Sequence, residues 1–461
     1  AKSTMSALKT KPFERNLALT KLGIGTGGRF VAHSMANAFR SAEGRKAADQ
    51  TFYVERATEL ADALGQLKGS VMKAGQMLSL YGQYFLPPEA VAVLSGLQDD
   101  TPSVHWRVVA PVLERAIGRQ RMGELDIEEV PLAAASLGQA HRARRKQDGL
   151  ELVIKIQYPG VADAIESDIR SLSRLVGLSR LAPKGVDLDP VFNEVREMLH
   201  REVDYDSEAN FTNEFQKRLA DDSRFVVPRV LGDYSNDRVL TTTFESGVSV
   251  RHHDIQSLDQ ARRDRLGKHF LELFLTEFFD WGMVQSDPHF GNYRIRPRDS
   301  GEDQIVLLDF GATRLFGRSF IESYSDIVMG ALSRNAEQIH RGAIAIGLMD
   351  DHFPPQVVKA FAELCIQIVE PFEAPDSGRI PQALLTPDGR YRWHASDLPM
   401  RAGRIASRNA LSVHFRVPPR EIIFLHRRLA GVFIMLSTLR AELAARDQLL
   451  PVVAELSWDK R

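Results

Sequence analysis

The segment Ser286-Asp287-Pro288-His289-Phe290-Gly291-Asn292, followed by Leu308-Asp309-Phe310-Gly311, constrains this chain more than any other. It sets Asp287 and Asn292 five residues apart and places Asp309 seventeen residues beyond Asn292. Between them lie the alternating run Tyr293 to Arg296, a turn-rich stretch from Pro297 to Gly301, and the apolar run Ile305 to Leu308. That order predicts a β-hairpin, which returns Asn292 and Asp309 to the same place. Phosphoryl transfer needs such a grouping: one Asp to orient an attacking hydroxyl or water, an Asn to hold magnesium, and a second Asp to hold magnesium against nucleotide phosphates. The alternative is two unrelated loop acids.

At 461 residues the chain is long enough for two or three domains, each with a sizeable core. Its 44% apolar and 26% charged content is that of an ordinary soluble globular protein. A formal net charge of −1 supplies no global field for nucleic acid, so no nucleic-acid partner is expected. The single cysteine, Cys365, excludes a disulfide framework and a cysteine metal site, fits a reducing compartment, and reads as buried packing. No stretch reaches the roughly 18 uncharged apolar residues of a spanning helix. The nearest, Leu429 to Leu439, is short and flanked by Arg427, Arg428 and Arg440. A cytoplasmic protein is the expectation, with peripheral contact at the inner membrane left open.

Residues 1–50 are polar and basic. Their glycine-rich run, Leu22 to Gly28, has no preceding strand and no ribose-binding acid after it, which argues against a dinucleotide site. Phe30 to Phe39 suggests a short amphipathic helix, for packing on the domain or for a membrane surface. A long helical pattern covers 52–84, weakened by Gly65, Gly69, Gly75 and Gly82, and a second helix is predicted from Trp106 to Ile117. Leu125 to Val130 reads as a strand. Gln139 to Lys146 and Leu150 to Tyr158 read as a hairpin around Gln147-Asp148-Gly149. Helices are expected near 162–180 and 190–220, and strands near 225–231 and 238–244. Past residue 255 the chain is mostly helical, with Pro371 to Pro399 read as a long loop.

A strand-rich front half, a helix-rich rear half and acidic motifs between them give an α+β, bilobed protein-kinase-like fold with an N-terminal helical extension and a helix-rich C-terminal lobe. Such a fold requires a lysine for the phosphates and an acid to hold it. Lys155 is the polar residue in the apolar strand Val153 to Ile156, where it needs a partner to offset its charge. Glu208, on a helix running from Glu202 through Asn210, is the candidate. Where a glycine-rich loop would precede the lysine strand, the chain has Ala133-Ala134-Ala135-Ser136-Leu137-Gly138. Alanine Cβ atoms restrict backbone approach to phosphates, so nucleotide preference and phosphate geometry are expected to be unusual. His289 stands two residues after Asp287, where protein kinases usually place lysine, and no Ala-Pro-Glu segment follows Asp309. Both argue against a conventional protein substrate.

Lys73-Ala74-Gly75-Gln76, the alanine-rich loop, Lys155, Glu202-Val203-Asp204, the Asp287 to Asn292 motif and Asp309-Phe310-Gly311 occur together and in order. In this the chain resembles the UbiB (AarF) family of atypical kinases, which includes the coenzyme Q biosynthesis kinases. The resemblance covers roughly residues 55–330. It implies a Mg2+- and ATP-binding atypical kinase or ATPase that supports ubiquinone (isoprenoid-quinone) biosynthesis, acting by ATP hydrolysis or on a small-molecule or lipid acceptor, alongside quinone-biosynthesis proteins. It assigns Asp287 as catalytic base or water-positioning residue, Asn292 and Asp309 to magnesium, Lys155 to the phosphates with Glu208 orienting it, and Ala133 to Ser136 to the nucleotide cover. Lys73 and Gln76, on one helix face as i and i+3, restrict access and slow turnover. Glu202 and Asp204 are their acidic counterparts. The implied organisation is 1–50 as an N-terminal segment, 51–122 as the helical extension, 123–250 as the N-lobe and 251–461 as the C-lobe. Two rival readings are a nucleotide-gated scaffold for lipids or quinone-synthesis proteins and a small-molecule kinase of aminoglycoside or choline type.

Overall fold

The strand Glu151–Gln157 (β4) shows how the first unit of the fold is built. Its side chains alternate, so Leu152, Ile154 and Ile156 are fully buried while Val153 and Lys155 occupy the opposite, half-buried face. β4 pairs antiparallel with Gly138–Arg145 (β3) across a turn in which Gly149 takes φ 71° and Asp148 Oδ1 accepts the Leu150 amide. With Leu125–Ile127 (β1), Ala133–Ala134 (β2) and Val239–Thr243 (β6), these strands form a five-stranded sheet in the order β1-β3-β4-β6, with β2 also on β3.

The computed structural model describes residues 103–179, 188–402 and 418–456, helix residues 70–82, and positions 51, 54, 55, 57–59, 91, 92 and 95 upstream. The expected features at Leu22 to Gly28 and Phe30 to Phe39 lie outside the described residues. Contacts divide the chain into two compact units, one ending at Asn210 with Arg229–Phe244 added, the other comprising Phe211–Pro228 and Glu245–Arg461.

In the first unit, helix Ser70–Gly82 (α1) packs on Val161–Ser179 (α3) and Asp189–Glu202 (α4), and Trp106–Gly123 (α2) packs on the sheet. The helix expected to run from Glu202 through Asn210 is instead broken. α4 ends at Glu202, and the next helix, Tyr205–Arg218 (α5), begins after Val203 and Asp204. The cause is local: Asp204 Oδ1 accepts the Ser207 amide at 2.9 Å, an N-cap that starts a new helix.

In the second unit, Tyr293–Arg296 (β8) and Gln304–Leu307 (β9) form the expected antiparallel hairpin, and Phe225–Val226 (β5) runs parallel to β9. Met283–Gln285 (β7) pairs with Thr313–Leu315 (β10). The longer helices are Gln260–Leu275 (α6), Arg318–Ser333 (α7), Ala336–Ala345 (α8), Pro355–Ile368 (α9), Arg420–Thr438 (α10) and Arg446–Ala454 (α11). They enclose a core that includes Phe270, Phe274, Phe278 and Phe310. A π-helical turn, Thr276–Asp280, extends α6. The apolar run read as the nearest spanning candidate lies in the C-terminal half of α10, with Val432, Met435 and Leu436 in the core and Ile434 exposed. Among the described residues no helix is long and apolar enough to cross a membrane.

Pro371 to Pro399 is not a plain loop. Tyr391 and Trp393 are buried, Tyr391–Arg392 (β11) pairs with Glu442–Leu443 (β12), and the Tyr391 hydroxyl donates to Glu370 at 2.8 Å. Two large aromatic side chains provide the burial that orders the segment. Cys365 is buried, and burial pushes its thiol up to about 12.

Candidate functional site

The Asp287 to Asn292 segment divides into residues that shape it and residues that present chemistry. His289 Nδ1 accepts the Gly291 amide at 3.0 Å and caps the 3-10 turn Phe290–Asn292. A Cβ on Gly291 would lie 2.6 Å from that same nitrogen, so the cap requires glycine there. The turn sets Asn292 so that its Nδ2 donates to Asp287 Oδ2 at 2.8 Å. On the neighbouring strands, the Ser286 hydroxyl donates to the Ala312 carbonyl at 2.6 Å, and Gln285 Nε2 donates to the Asp309 carbonyl at 3.2 Å. The Leu308 amide bonds the Asn292 carbonyl at 2.9 Å, one residue before Asp309. The structure therefore brings Asp287, Asn292 and Asp309 to one end of the β8–β9 hairpin. Asp309 Oδ1 accepts the Gly311 amide at 3.0 Å, and Phe310 is buried with its ring 4.6 Å from that of Phe215.

Two neighbours of this segment carry only a faint signal in the sequence. Arg427 of α10 donates to Asp287 Oδ1 at 2.7 Å, so each oxygen of that carboxylate already accepts a hydrogen bond. Arg428 points inward and is fully buried, donating to the Tyr293 hydroxyl at 2.6 Å and facing Glu277 at 3.3 Å. Burial pushes the Glu277 carboxyl up to about 7 against the pull of Arg428. The one hint in the sequence is an Arg pair within an otherwise apolar helix. Gly431, one turn further along α10, lies so close to Pro288 that a Cβ would sit 2.0 Å from the proline Cβ.

In the first unit, Lys155 Nζ donates to both carboxylate oxygens of Glu208 at 2.9 Å. Glu208 is 5% exposed at its side chain and Lys155 is 32% exposed, so the lysine keeps an open side. Its Nζ also lies 5.1 Å from the Tyr205 ring centre. The Asp204 cap positions this helix, and the Glu208 amide bonds the Asp204 carbonyl. Ala133 and Ala135 are exposed, Ala134 is half-buried and Ser136 is buried, in a turn closed by the Ala135 amide on the Gly138 carbonyl at 2.8 Å. A Cβ on Gly138 would meet the Ile156 carbonyl at 2.6 Å and the Tyr205 hydroxyl at 3.0 Å. Lys73 Nζ lies 3.0 Å from Glu202 Oε1. Gln76 is half-buried on the same helix, while Asp204 is exposed and engaged in its cap.

Among the described residues no group of three or more His, Cys, Asp or Glu side chains forms a metal cage. The donor set nevertheless fits magnesium, which is commonly held by one or two carboxylates together with substrate phosphates and water. With the Asn292 amide nitrogen committed to Asp287, its Oδ1 is a hard oxygen donor alongside the Asp309 carboxylate.

Comparison with known proteins places this geometry in context. The family model of the ABC1 atypical kinase-like domain matches residues 96–343. The mitochondrial atypical kinase COQ8 of Schizosaccharomyces pombe is 30% identical over 84% of this chain and 61% of its own length. The mitochondrial atypical kinase COQ8B of Rattus norvegicus is 31% identical over 85% of this chain and 70% of its own. Among solved structures, the complex of Rv3197 with erythromycin from Mycobacterium tuberculosis matches with a TM-score of 0.57 at 25% identity, over 88% of this chain and 95% of that one.

Proposed function

Because this chain belongs to the ABC1 atypical kinase-like family, we propose that it is a Mg·ATP-dependent phosphotransferase or ATPase that supports isoprenoid-quinone biosynthesis. The observation that carries the reading is the convergence of Asp287, Asn292 and Asp309 at one end of a hairpin. Lys155, aimed by Glu208, holds the α- and β-phosphates, with the alanine-rich turn Ala133 to Ser136 against the nucleotide. Magnesium on Asn292 and Asp309 offsets phosphate charge when bound. Asp287 orients the acceptor hydroxyl or water and takes its proton as the acceptor oxygen bonds the γ-phosphorus and the bond to the β-phosphate oxygen breaks, leaving ADP. The acceptor is water or a small molecule or lipid. Lys73 and Gln76, with Glu202 and Asp204 behind them, restrict access by larger substrates.

One observation favours a second reading, a nucleotide-gated scaffold: Arg427 already occupies one oxygen of Asp287. Two measurements separate the readings. A magnesium-dependent rise in the thermal midpoint with ATP, lost in Asp309→Asn, tests the nucleotide site. Multiple-turnover phosphate release then supports catalysis, whereas stabilisation without release supports the scaffold. No stabilisation at millimolar nucleotide refutes both.

A further inference from the structure

Arg428 is a costly residue to bury. It is fully inaccessible, and among the described residues its Nε has no hydrogen-bond partner and its one ion-pair partner is Glu277, which is buried with it. A buried ion pair is a weak source of stability, and a well-packed apolar side chain in its place is often as good or better. What an apolar side chain cannot supply is a directed donor. Arg428 Nη1 donates to the Tyr293 hydroxyl, which donates to Gln285 Oε1 at 2.8 Å, and Gln285 Nε2 donates to the Asp309 carbonyl. The rings of Phe270 and Tyr293 lie 5.0 Å and 5.4 Å from the guanidinium. The links from Arg428 to Tyr293 and from Tyr293 to Gln285 are buried, the setting in which hydrogen bonds orient most strictly, and the last link to the Asp309 carbonyl is part-buried.

We propose that Arg428 is a positioning residue that acts through Tyr293 and Gln285 to hold the Asp309 main chain where its carboxylate meets the metal. This rests on the reading of Asp309 as a magnesium ligand. Partners one layer behind a metal ligand typically change metal affinity by about tenfold or more when removed.

The test uses the full chain and the variant Tyr293→Phe, which deletes the relay hydroxyl but keeps the ring and the Arg428–Glu277 pair. Phe270→Leu is the control, because it removes a ring packed on Arg428 and Tyr293 but none of the relay's hydrogen-bonding groups. Two quantities are measured: the magnesium concentration that half-saturates thermal stabilisation by ADP, and the exchange of the amides from Asp309 to Ala312 without nucleotide. The expected result is a magnesium requirement raised about tenfold in Tyr293→Phe, with faster exchange at those amides, and neither change in Phe270→Leu. Arg428→Lys, which retains a donor, is expected to fall between Tyr293→Phe and the unaltered chain. Equal shifts in Tyr293→Phe and Phe270→Leu overturn the relay, because the role is then general packing. A normal magnesium response with normal exchange in Tyr293→Phe overturns it as well. If the unaltered chain itself shows no magnesium-dependent response to ADP, the reading of Asp309 fails, and the proposal with it.

Discussion

Gly431→Ala sets two opposed effects against each other, and the structure decides between them. In a helix interior, replacing glycine by alanine normally stabilises by about 0.5–1 kcal/mol. Here the new Cβ would sit 2.0 Å from Pro288 Cβ and 3.1 Å from Pro288 Cα. Carbon atoms rest about 3.5–4.0 Å apart, so roughly 1.5 Å of separation must be created. The three nearest atoms all belong to Pro288, whose ring cannot rotate away. Helix α10 cannot simply slide either, because Arg427 is bonded to Asp287 and Arg428 to Tyr293. Overpacking of this kind costs about 1–3 kcal/mol, which outweighs the propensity gain. The expected net effect is therefore a loss of about 1–2 kcal/mol. The functional effect is larger. Pro288 directly follows Asp287, and a displacement near 1 Å at a positioned catalytic group costs about 100-fold in rate. Phosphate release under multiple turnover, read beside the thermal midpoint, measures both. A Gly431→Ala protein that is more stable and turns over normally would refute the claim that α10 aims the Asp287 segment.

Other perturbations give distinct readouts. Glu208→Gln removes the charge that holds Lys155, and with the lysine 32% exposed the expected cost is about 1–3 kcal/mol, seen as weaker stabilisation by Mg·ATP; unchanged nucleotide stabilisation would count against the pair. Arg427→Met frees one oxygen of Asp287 and is expected to lower turnover about tenfold at unchanged nucleotide binding, by analogy with the loss of an orienting partner; a rise in turnover would mark the pair as a brake and favour the switch reading. His426 keeps partial surface exposure, yet desolvation pushes its imidazole down from 6.5 to about 4. The unfolded chain then binds a proton that the folded chain refuses, so this contribution to stability is complete above pH 6.5 and is lost as pH falls toward 4. The loss is at most about 3 kcal/mol. His426→Leu should flatten the acid limb of the stability curve between those pH values, and an unchanged limb would refute the assignment.

Much of the site was legible because its signals are local. The Tyr293–Arg296 and Gln304–Leu307 hairpin follows from alternation on either side of a turn, and Lys155 follows from one polar position in an apolar strand. The partner Glu208 was also legible, although the break at Val203 and Asp204 was not. A side-chain cap on the Ser207 amide outweighed the helical pattern there, and periodicity does not register a single hydrogen bond. Pro371 to Pro399 misled for a related reason: its turn residues are plain in the sequence, while the burial of Tyr391 and Trp393 depends on β12, some fifty residues further on.

The sequence alone determined the chemistry on offer: which carboxylates, amide and lysine stand in what order, and which turns must present them. Turn geometry and strand alternation act over a few residues, so composition and spacing suffice to read them. Only the tertiary structure decided what holds those groups in place. Arg427 meets Asp287 across 140 residues of sequence, and Arg428 meets Tyr293 across 135. Gly431 admits Pro288 only because two elements remote in sequence come into van der Waals contact. No local pattern encodes such pairs, since each arises from packing a helix against a loop, and packing is a property of the whole core.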